Sequence, residues 1–580
     1  MTDTRANEPT TEAPAASHAP ASWWVALAAA FLVTAGLVYA PAFPGGPISD
    51  DAGYLMNPWV VRLDASSLPT LFDPRSQATL SLNNYAPLRP IVHGLEWKLF
   101  YDESSIPTTN LAYHATNVVM HAAAALLLAL LLAQSGLAFP AAAGGALFFL
   151  VHPANVEAVA WICELWTSLA LALGLGALLA QRRRPALAVA LFALALLAKP
   201  QVVCVLPVAL LRQYVWWHRD RALRAHVDPE APLTDGSESA RFPRSEPRAS
   251  GAFTWMGAWL AVFAAITAAE LVTFFESASG ARSPIHPDAL VQARTIVALA
   301  GRYLAMAATG YGVATFQQPP PALSWLDPWW LFGLVATAAI TALALRALRD
   351  GSEEAAWWVW GPAAFLPVSQ IFPFLYPFGD RYLYFMLPGL IGGVLLAARR
   401  IRAFERVPAR AWLAASLVVC AGLGLWSHQR AGIWTSEDRV LADAARRWPD
   451  GVPSHLLAAR RAAQAGDADS AIEHLELCRA RGWDYYGHLQ KHPAFESIRS
   501  TPRFQQLILD FAGDMIERAS KTRRHTQLDL RDIAEAHRLR GEYAEAVAAL
   551  DQAVALGGPL DLDLRPALVS ARAQARKEKP

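Results

Sequence analysis

The sequence predicts an all-α protein in two parts, a polytopic bundle of about 11 membrane-spanning helices followed by a soluble helical-repeat domain. Three observations predict it. Of 580 residues, 54% are hydrophobic and 17% charged, against roughly 25% charged in an ordinary soluble domain. Apolar runs of spanning length recur as far as Trp426. From Ser427 onward the composition turns to that of a soluble helical protein.

A helix crossing hydrocarbon takes about 20 apolar residues, because each unpaired peptide group there costs several kcal/mol. Candidate spans are 23–41, 111–133, 138–151, 159–180, 186–198, 201–217, 253–275, 328–346, 357–376, 383–398 and 411–426. Between Pro185 and Trp217 the apolar run is too long for one helix, and Lys199-Pro200 breaks it into two short spans joined by a tight turn. Residues 1–21, rich in Ala, Thr and Pro, predict a disordered tail ahead of the membrane part at 22–426. The first run is long enough to span, although Tyr39-Ala40-Pro41-Ala42 keeps a cleavable signal peptide as the alternative. Residues 42–109 form the first outer loop, and 218–252 a flexible cytoplasmic loop whose Pro, Ser and mixed charges concentrate in 227–250. Residues 293–313 are apolar enough to bury, yet both their ends must lie outside, so a re-entrant or interfacial helix is expected.

Arg and Lys in the loops set the orientation. Arg182–Arg184 form one block; Arg212, Arg219, Arg221, Arg224, Arg241, Arg244 and Arg248 a second; Arg346 and Arg349 a third; and Arg399, Arg400, Arg402, Arg406 and Arg410 a fourth. With the spans as above, all four share the cytoplasmic side, together with the N-terminus. The odd count then puts 427–580 outside. Fifty basic against 49 acidic residues give a net charge of +1, hence no global field to attract nucleic acid. The four cysteines, Cys163, Cys204, Cys420 and Cys478, are far apart and read as core fillers.

Within 427–580, GDADSAIEHLELCRARG from Gly466 and GEYAEAVAALDQAVALG from Gly541 match at Gly466/Gly541, Ala471/Ala546, Leu475/Leu550, Ala480/Ala555 and Gly482/Gly557. A glycine turn followed by small and large apolar residues at helical spacing is how one helix of a pair packs on its neighbour. The pattern resembles tetratricopeptide repeats, with an irregular middle at HPAFESIRSTPRFQQLI. Such stacks bind peptides or proteins on a concave face, or here brace the membrane part.

Ionisable groups next to spans are costly and point to function. The expected topology gathers Asp50, Asp51, His152, Glu157, Glu164, Lys199, Asp380 and Arg381 near the outer interface, although hundreds of residues separate them. Two adjacent carboxylates supply a general base and a partner that raises its pKa, or else merely start a solvated loop. Arg381 offers a fork of donors for a phosphate; Lys199 offers a point charge for it, or snorkels to the headgroups. His152-Pro153 reads equally as a helix end. Glu164 lies too deep for an idle carboxylate and calls for a buried Arg or Lys partner.

The Asp50-Asp51 pair, NYAPLRP at 84–90, FLVHPANVEAVAWICE at 149–164, LLAKPQ at 196–201, GDRYLY at 379–384 and IWTSEDRVLADAARRWPDG at 433–451 occur in this order. Together they resemble the multispanning family with C-terminal tetratricopeptide repeats related to the protein O-mannosyltransferases, of the GT-C glycosyltransferase fold. The resemblance implies an inverting enzyme that moves a sugar from a polyprenyl-phosphate carrier to a hydroxyl acceptor at the outer face. It puts the acidic motif on Asp50 and Asp51, the RYLY arginine on Arg381 and the outer-turn lysine on Lys199, with His152, Glu157, Glu164, Asp380, Tyr382 and Tyr85 supporting the pocket. The chain departs from related bacterial sequences in two places. Tyr85-Ala86-Pro87-Leu88 stands where YRPL is common, so that the arginine is missing or supplied by Arg89. Glu164-Leu165-Trp166-Thr167 stands where ERKD is common.

In this chemistry Asp51 or Asp50 takes the acceptor proton while Arg381 and Lys199 hold the departing phosphate. No metal ligand set is read at this site: a divalent ion is compatible with the chemistry and not implied by it. The resemblance and composition point to a bacterial inner membrane with the repeats in the periplasm, an ER membrane being the alternative with the same topology relative to the cytoplasm; the partners expected are membrane lipid, the polyprenyl-phosphate donor and a protein or glycan acceptor recruited by the repeats. The alternatives are a non-catalytic envelope scaffold and a flippase for lipid-linked sugar.

Overall fold

The computed structural model describes residues 19–225, 249–277, 284–371, 373, 377–401 and 408–578. Most of the expected disordered tail at 1–21, nearly all of the flexible stretch 227–250, and Arg241, Arg244, Arg248, Arg402 and Arg406 lie outside the described residues. Those described fold into helices, with a single bridge between Gln317 and Phe378 as the extended pairing among them.

Among the described residues, seven helices are long and apolar enough to cross a membrane: Ala21–Ala42, Ile106–Gln134, Ile162–Ala180, Thr254–Glu276, Pro328–Arg349, Asp380–Ala398 and Arg410–Thr435. The protein is therefore a multi-pass membrane protein by length and composition. An eighth span follows if Phe139–Val151 and Pro153–Ala160, bent by 51° at His152, count as one. Two of the other runs fold shorter, and a third runs on into charge. Pro185–Ala198 has 14 residues and ends at Lys199-Pro200; Glu354–Phe365 has 12 and passes into a 3-10 turn at Leu366–Val368. Val205–Ala225 continues past its apolar half into Arg212, Arg219 and Arg221. Proline sets the breaks at Lys199-Pro200 and His152-Pro153, by removing a donor and forcing the preceding residue extended: Lys199 has φ −154° and ψ 116°. Ala289–Thr309, which covers most of the apolar stretch 293–313, is one continuous helix closed by Gly310 at φ +73°.

Glycines permit two close crossings. A Cβ on Gly333 would lie 2.1 Å from the Val297 carbonyl oxygen, so helices Ala289–Thr309 and Pro328–Arg349 touch backbone to backbone. A Cβ on Gly392 would lie 2.0 Å from the Trp357 ring.

Arginines of the basic loop blocks collect at one end of the bundle. Arg212 donates to the Leu178 carbonyl (3.0 Å), Arg219 to Gly351 (3.0 Å), Arg399 to Gly136 (2.8 Å), and Arg400 pairs with Asp350 (2.8 Å) and Glu354 (3.0 Å). The helical domain attaches at the opposite end, where Trp434 stacks on Trp161 with centroids 5.3 Å apart. Arg430 is the rivet there, held by Asp443 (3.2 Å) and by Asp380 (3.6 Å).

Past Glu437 the chain forms helix hairpins around a separate apolar core. Val452–Gln464 packs on Ala468–Ala480, and Gln527–Leu539 on Tyr543–Leu556. The positions matched in sequence play matched parts. Gly466 and Gly541 turn each hairpin at φ +79° and +77°; Ala471, Ala546, Leu475 and Leu550 are buried. Ala480 and Ala555 are both exposed.

Candidate active site

The end of the bundle that carries the helical domain also gathers the charged motifs, through three turns. The first follows helix Ala21–Tyr39. Ser49 takes a left-handed conformation (φ +52°), which orients Asp50 and Asp51 into the short helix after it. The second is the double bend 152–164, braced by Asn117, whose amide donates to the carbonyls of Val159 (3.1 Å) and Trp161 (3.0 Å). Trp161 ties the two turns together by donating its indole N–H to the Ile48 carbonyl at 3.2 Å. Lys199 is the third. It closes helix Pro185–Ala198, where the helix dipole favours a cation.

The two aspartates have different surroundings. Asp51 is buried, and both carboxylate oxygens are used: Oδ2 accepts the Ile48 N–H at 2.8 Å and Oδ1 the Cys163 N–H at 2.7 Å. Burial pushes its carboxyl up to about 7, and those two backbone N–H groups pull against the rise. It pins the first turn to the second. Asp50 is exposed. Surrounding protein nonetheless raises its carboxyl above the usual range by desolvation; the charge of Arg381 opposes this and that of Glu164 adds to it.

Facing them are the cations. Lys199 Nζ donates to Glu164 Oε2 (2.8 Å) and Thr167 Oγ1 (2.6 Å). Arg381 pairs with Glu157 through its side chain, and its backbone N–H donates to the same carboxylate at 3.0 Å. Its Nε lies 3.4 Å from Glu164, so Glu164 holds both cations. Lys199 and Arg381 keep 13% and 14% of their side chains accessible while Glu164 keeps 5%, so the open face of the cluster presents positive charge. The Tyr382 ring lies under the Arg381 guanidinium at 4.7 Å.

Arg89 joins the cluster by a different route. Its guanidinium sits 4.3 Å from the Tyr54 ring and 4.0 Å from the Trp166 ring and donates to Asn84 (2.7 Å) and Leu82 (3.2 Å), while Nε has no partner among the described residues. Burial pushes the Tyr54 phenol up to about 12, so it stays neutral. Trp166 also lies 5.6 Å from Lys199 Nζ and donates its N–H to Glu164 at 3.0 Å. Trp166 is thus an aromatic platform for two cations.

The remaining supporting residues separate. Tyr85 is held within the first loop and by a neighbouring helix: its backbone N–H donates to Glu270 (2.5 Å) and its hydroxyl to the Phe72 carbonyl (2.9 Å). Asp380 turns away from the cluster to Gln317 (2.6 Å) and Arg430. His152 caps the 3-10 turn, accepting the Ala154 N–H at 3.2 Å, as His492 does for Ala494 in the helical domain. Glu270 was not singled out from the sequence, yet the signal was there: it is the only charged residue in the apolar run 253–275. Trp166 and Tyr54 gave no such signal.

A cleft of about 1580 Å³ adjoins this end of the bundle, lined by Ala52, Gly53, Asn57, Pro320, Trp448 and Tyr485 among others, so that both the first loop and the helical domain form its walls. Among the described residues, Glu437, His488 and His492 are close enough to share a metal ion. The Arg460 guanidinium already stands among them, 2.8 Å from His488 Nε2 and 3.0 Å from Glu437, and supplies the positive charge there.

The site defines a class no finer than a membrane protein with a convergent acid and cation cluster at one bundle end. Comparison of the chain with protein-family models, with curated proteins and with solved structures finds no match.

Proposed function

We propose that the protein is an inverting glycosyltransferase of the GT-C type, moving a sugar from a polyprenyl-phosphate carrier to a hydroxyl acceptor at the outer face of a bacterial inner membrane. One observation carries the reading: an accessible carboxylate, Asp50, shares an end face with Lys199 and Arg381, two cations fixed on one buried glutamate. Asp50 is the base. Its raised affinity for a proton suits it to take one from the acceptor hydroxyl as the anomeric carbon is attacked. The bond from that carbon to the phosphate oxygen breaks at the same time, and Lys199 and Arg381 receive the negative charge that leaves with the carrier. Asp51 is a positioning residue, since both its oxygens are spent on the backbone. The collection of arginines at the opposite end supports a cytoplasmic side there. The paired hairpins, read as tetratricopeptide-like, form with the first loop a cleft walled by Ala52 and Gly53, just past the aspartate pair in sequence, and this cleft is the acceptor's place in the reading.

The test is incubation of the purified protein with a panel of labelled polyprenyl-phosphate sugars and envelope extract. Label moving to an acceptor only when the protein is present is the expected result. A carrier left unmodified throughout the panel, with the protein folded, overturns the assignment in favour of a scaffold or flippase.

A further inference from the structure

A second cationic cluster lies away from the site, on the outside of the bundle at the same end. Helix Pro328–Arg349 begins there, held by Asp327, whose carboxylate accepts the N–H groups of Trp329 (2.9 Å) and Trp330 (3.0 Å). Only 11% of the spanning window of this helix is buried in protein, which leaves much of its surface open to lipid. Around its start, Leu323, Trp325, Leu326, Leu331 and Phe332 are all exposed. Aromatic and apolar residues in this arrangement at a helix end mark the level of the headgroups.

Two arginines enter this belt from different parts of the chain. Arg302, on helix Ala289–Thr309, places its guanidinium 4.7 Å from the Trp329 ring and 5.8 Å from the Trp448 ring. Arg447, at the end of helix Glu437–Arg447 where the helical domain begins, lies 4.7 Å from the Tyr311 ring. Tyr311 in turn stacks on Trp329, with centroids 6.4 Å apart. Both side chains are half-buried, and each charge acts on the other. Among the described residues neither is in an ion pair with a carboxylate. Asp327, whose charge reaches Arg302, is engaged as a helix cap.

Two like charges held together on aromatic faces, with no carboxylate between them, are stabilised by an anion. We propose that Arg302 and Arg447 clamp the headgroup phosphate of an anionic phospholipid, which joins the helical domain to the membrane surface. The exposed Trp325, Phe332 and leucines beside the clamp accommodate the acyl chains, and this sets a phospholipid apart from a free phosphate. A zwitterionic lipid brings its own cation into an already positive site and is disfavoured. The inference is independent of the proposed transferase activity.

The experiment is native mass spectrometry of the full chain released from nanodiscs that contain equal phosphatidylglycerol and phosphatidylcholine. Wild-type protein should retain phosphatidylglycerol in preference. The double variant Arg302→Gln, Arg447→Gln should lose that preference about tenfold or more, as expected for removing charge-assisted hydrogen bonds. Arg447→Gln alone, at the domain junction, should lose part of it, and Arg410→Gln, an exposed arginine at the opposite end, none. Equal retention of the two lipids by wild type, retention unchanged in the double variant, or an equal loss in Arg410→Gln would each overturn the proposal. The wild-type comparison decides even if a variant fails to fold.

Discussion

Replacing Asp51 by asparagine separates the two adjacent aspartates by their physical roles. In the native structure one carboxylate oxygen takes the Ile48 N–H at 2.8 Å and the other the Cys163 N–H at 2.7 Å, in a buried setting. An amide offers one acceptor oxygen; its NH2 group must then face the second backbone donor. One buried N–H is left without a partner, at a cost of about 1–3 kcal/mol. Among the described residues no backbone N–H reaches the Asp50 carboxylate, and the side chain is exposed, so Asp50→Asn should change stability by no more than about 0.5 kcal/mol. Unfolding of the full chain in nanodiscs, followed by tryptophan fluorescence during heating and during SDS titration, measures both. Asp51→Asn melting with wild type, or Asp50→Asn melting below it, would refute the assignment of Asp51 to structure and Asp50 to chemistry.

The pH dependence of transfer should carry the signature of Asp50. Desolvation raises its carboxyl and a base works only when ionised, so the rate should fall with acidification through a midpoint above the ordinary aspartate range; a flat profile down to pH of about 4 contradicts this. Glu164→Gln removes the carboxylate that Lys199 and Arg381 share and should destabilise the chain by about 3 kcal/mol or more in the same SDS titration. Gly392→Ala drives a methyl group to within 2.0 Å of the Trp357 ring and should cost about 1–3 kcal/mol. Gly36→Ala, which meets nothing within 4 Å, should be tolerated, and equal loss in both would deny the close crossing.

Apolar length made the helical, multi-pass organisation legible, because it follows from composition; the boundary read at Ser427 falls inside helix Ala409–Ala431, and the second apolar core begins only at Leu441. Span count was less so. The runs 138–151, 186–198, 201–217 and 357–376 are apolar enough to count, yet they form a bent helix, two short ones and one that runs on into charged residues. Hydropathy does not tell a residue buried by lipid from one buried by protein. Ala188, Phe192 and Ala195 of the 14-residue helix Pro185–Ala198 are covered by neighbouring protein. At the site, the meeting of Lys199, Glu164 and Arg381 rests on turns placed by Lys199-Pro200 and His152-Pro153, both readable as breaks. The difference between Asp50 and Asp51 was not readable, since it depends on which carboxylate faces the Cys163 N–H, 112 positions away. Glu270 was readable as a lone charge in an apolar run, whereas the stacking of Arg89 on Trp166 exists only in three dimensions.

The central claim is that Asp50 acts on the acceptor while Lys199 and Arg381 hold the donor phosphate. Parallel measurement of donor affinity and single-turnover transfer rate in wild type, Asp50→Asn and Arg381→Gln tests it most directly. Asp50→Asn should bind the polyprenyl-phosphate sugar as wild type does and fail to transfer it, while Arg381→Gln should bind it more weakly. Undiminished transfer by a folded Asp50→Asn protein would contradict the account.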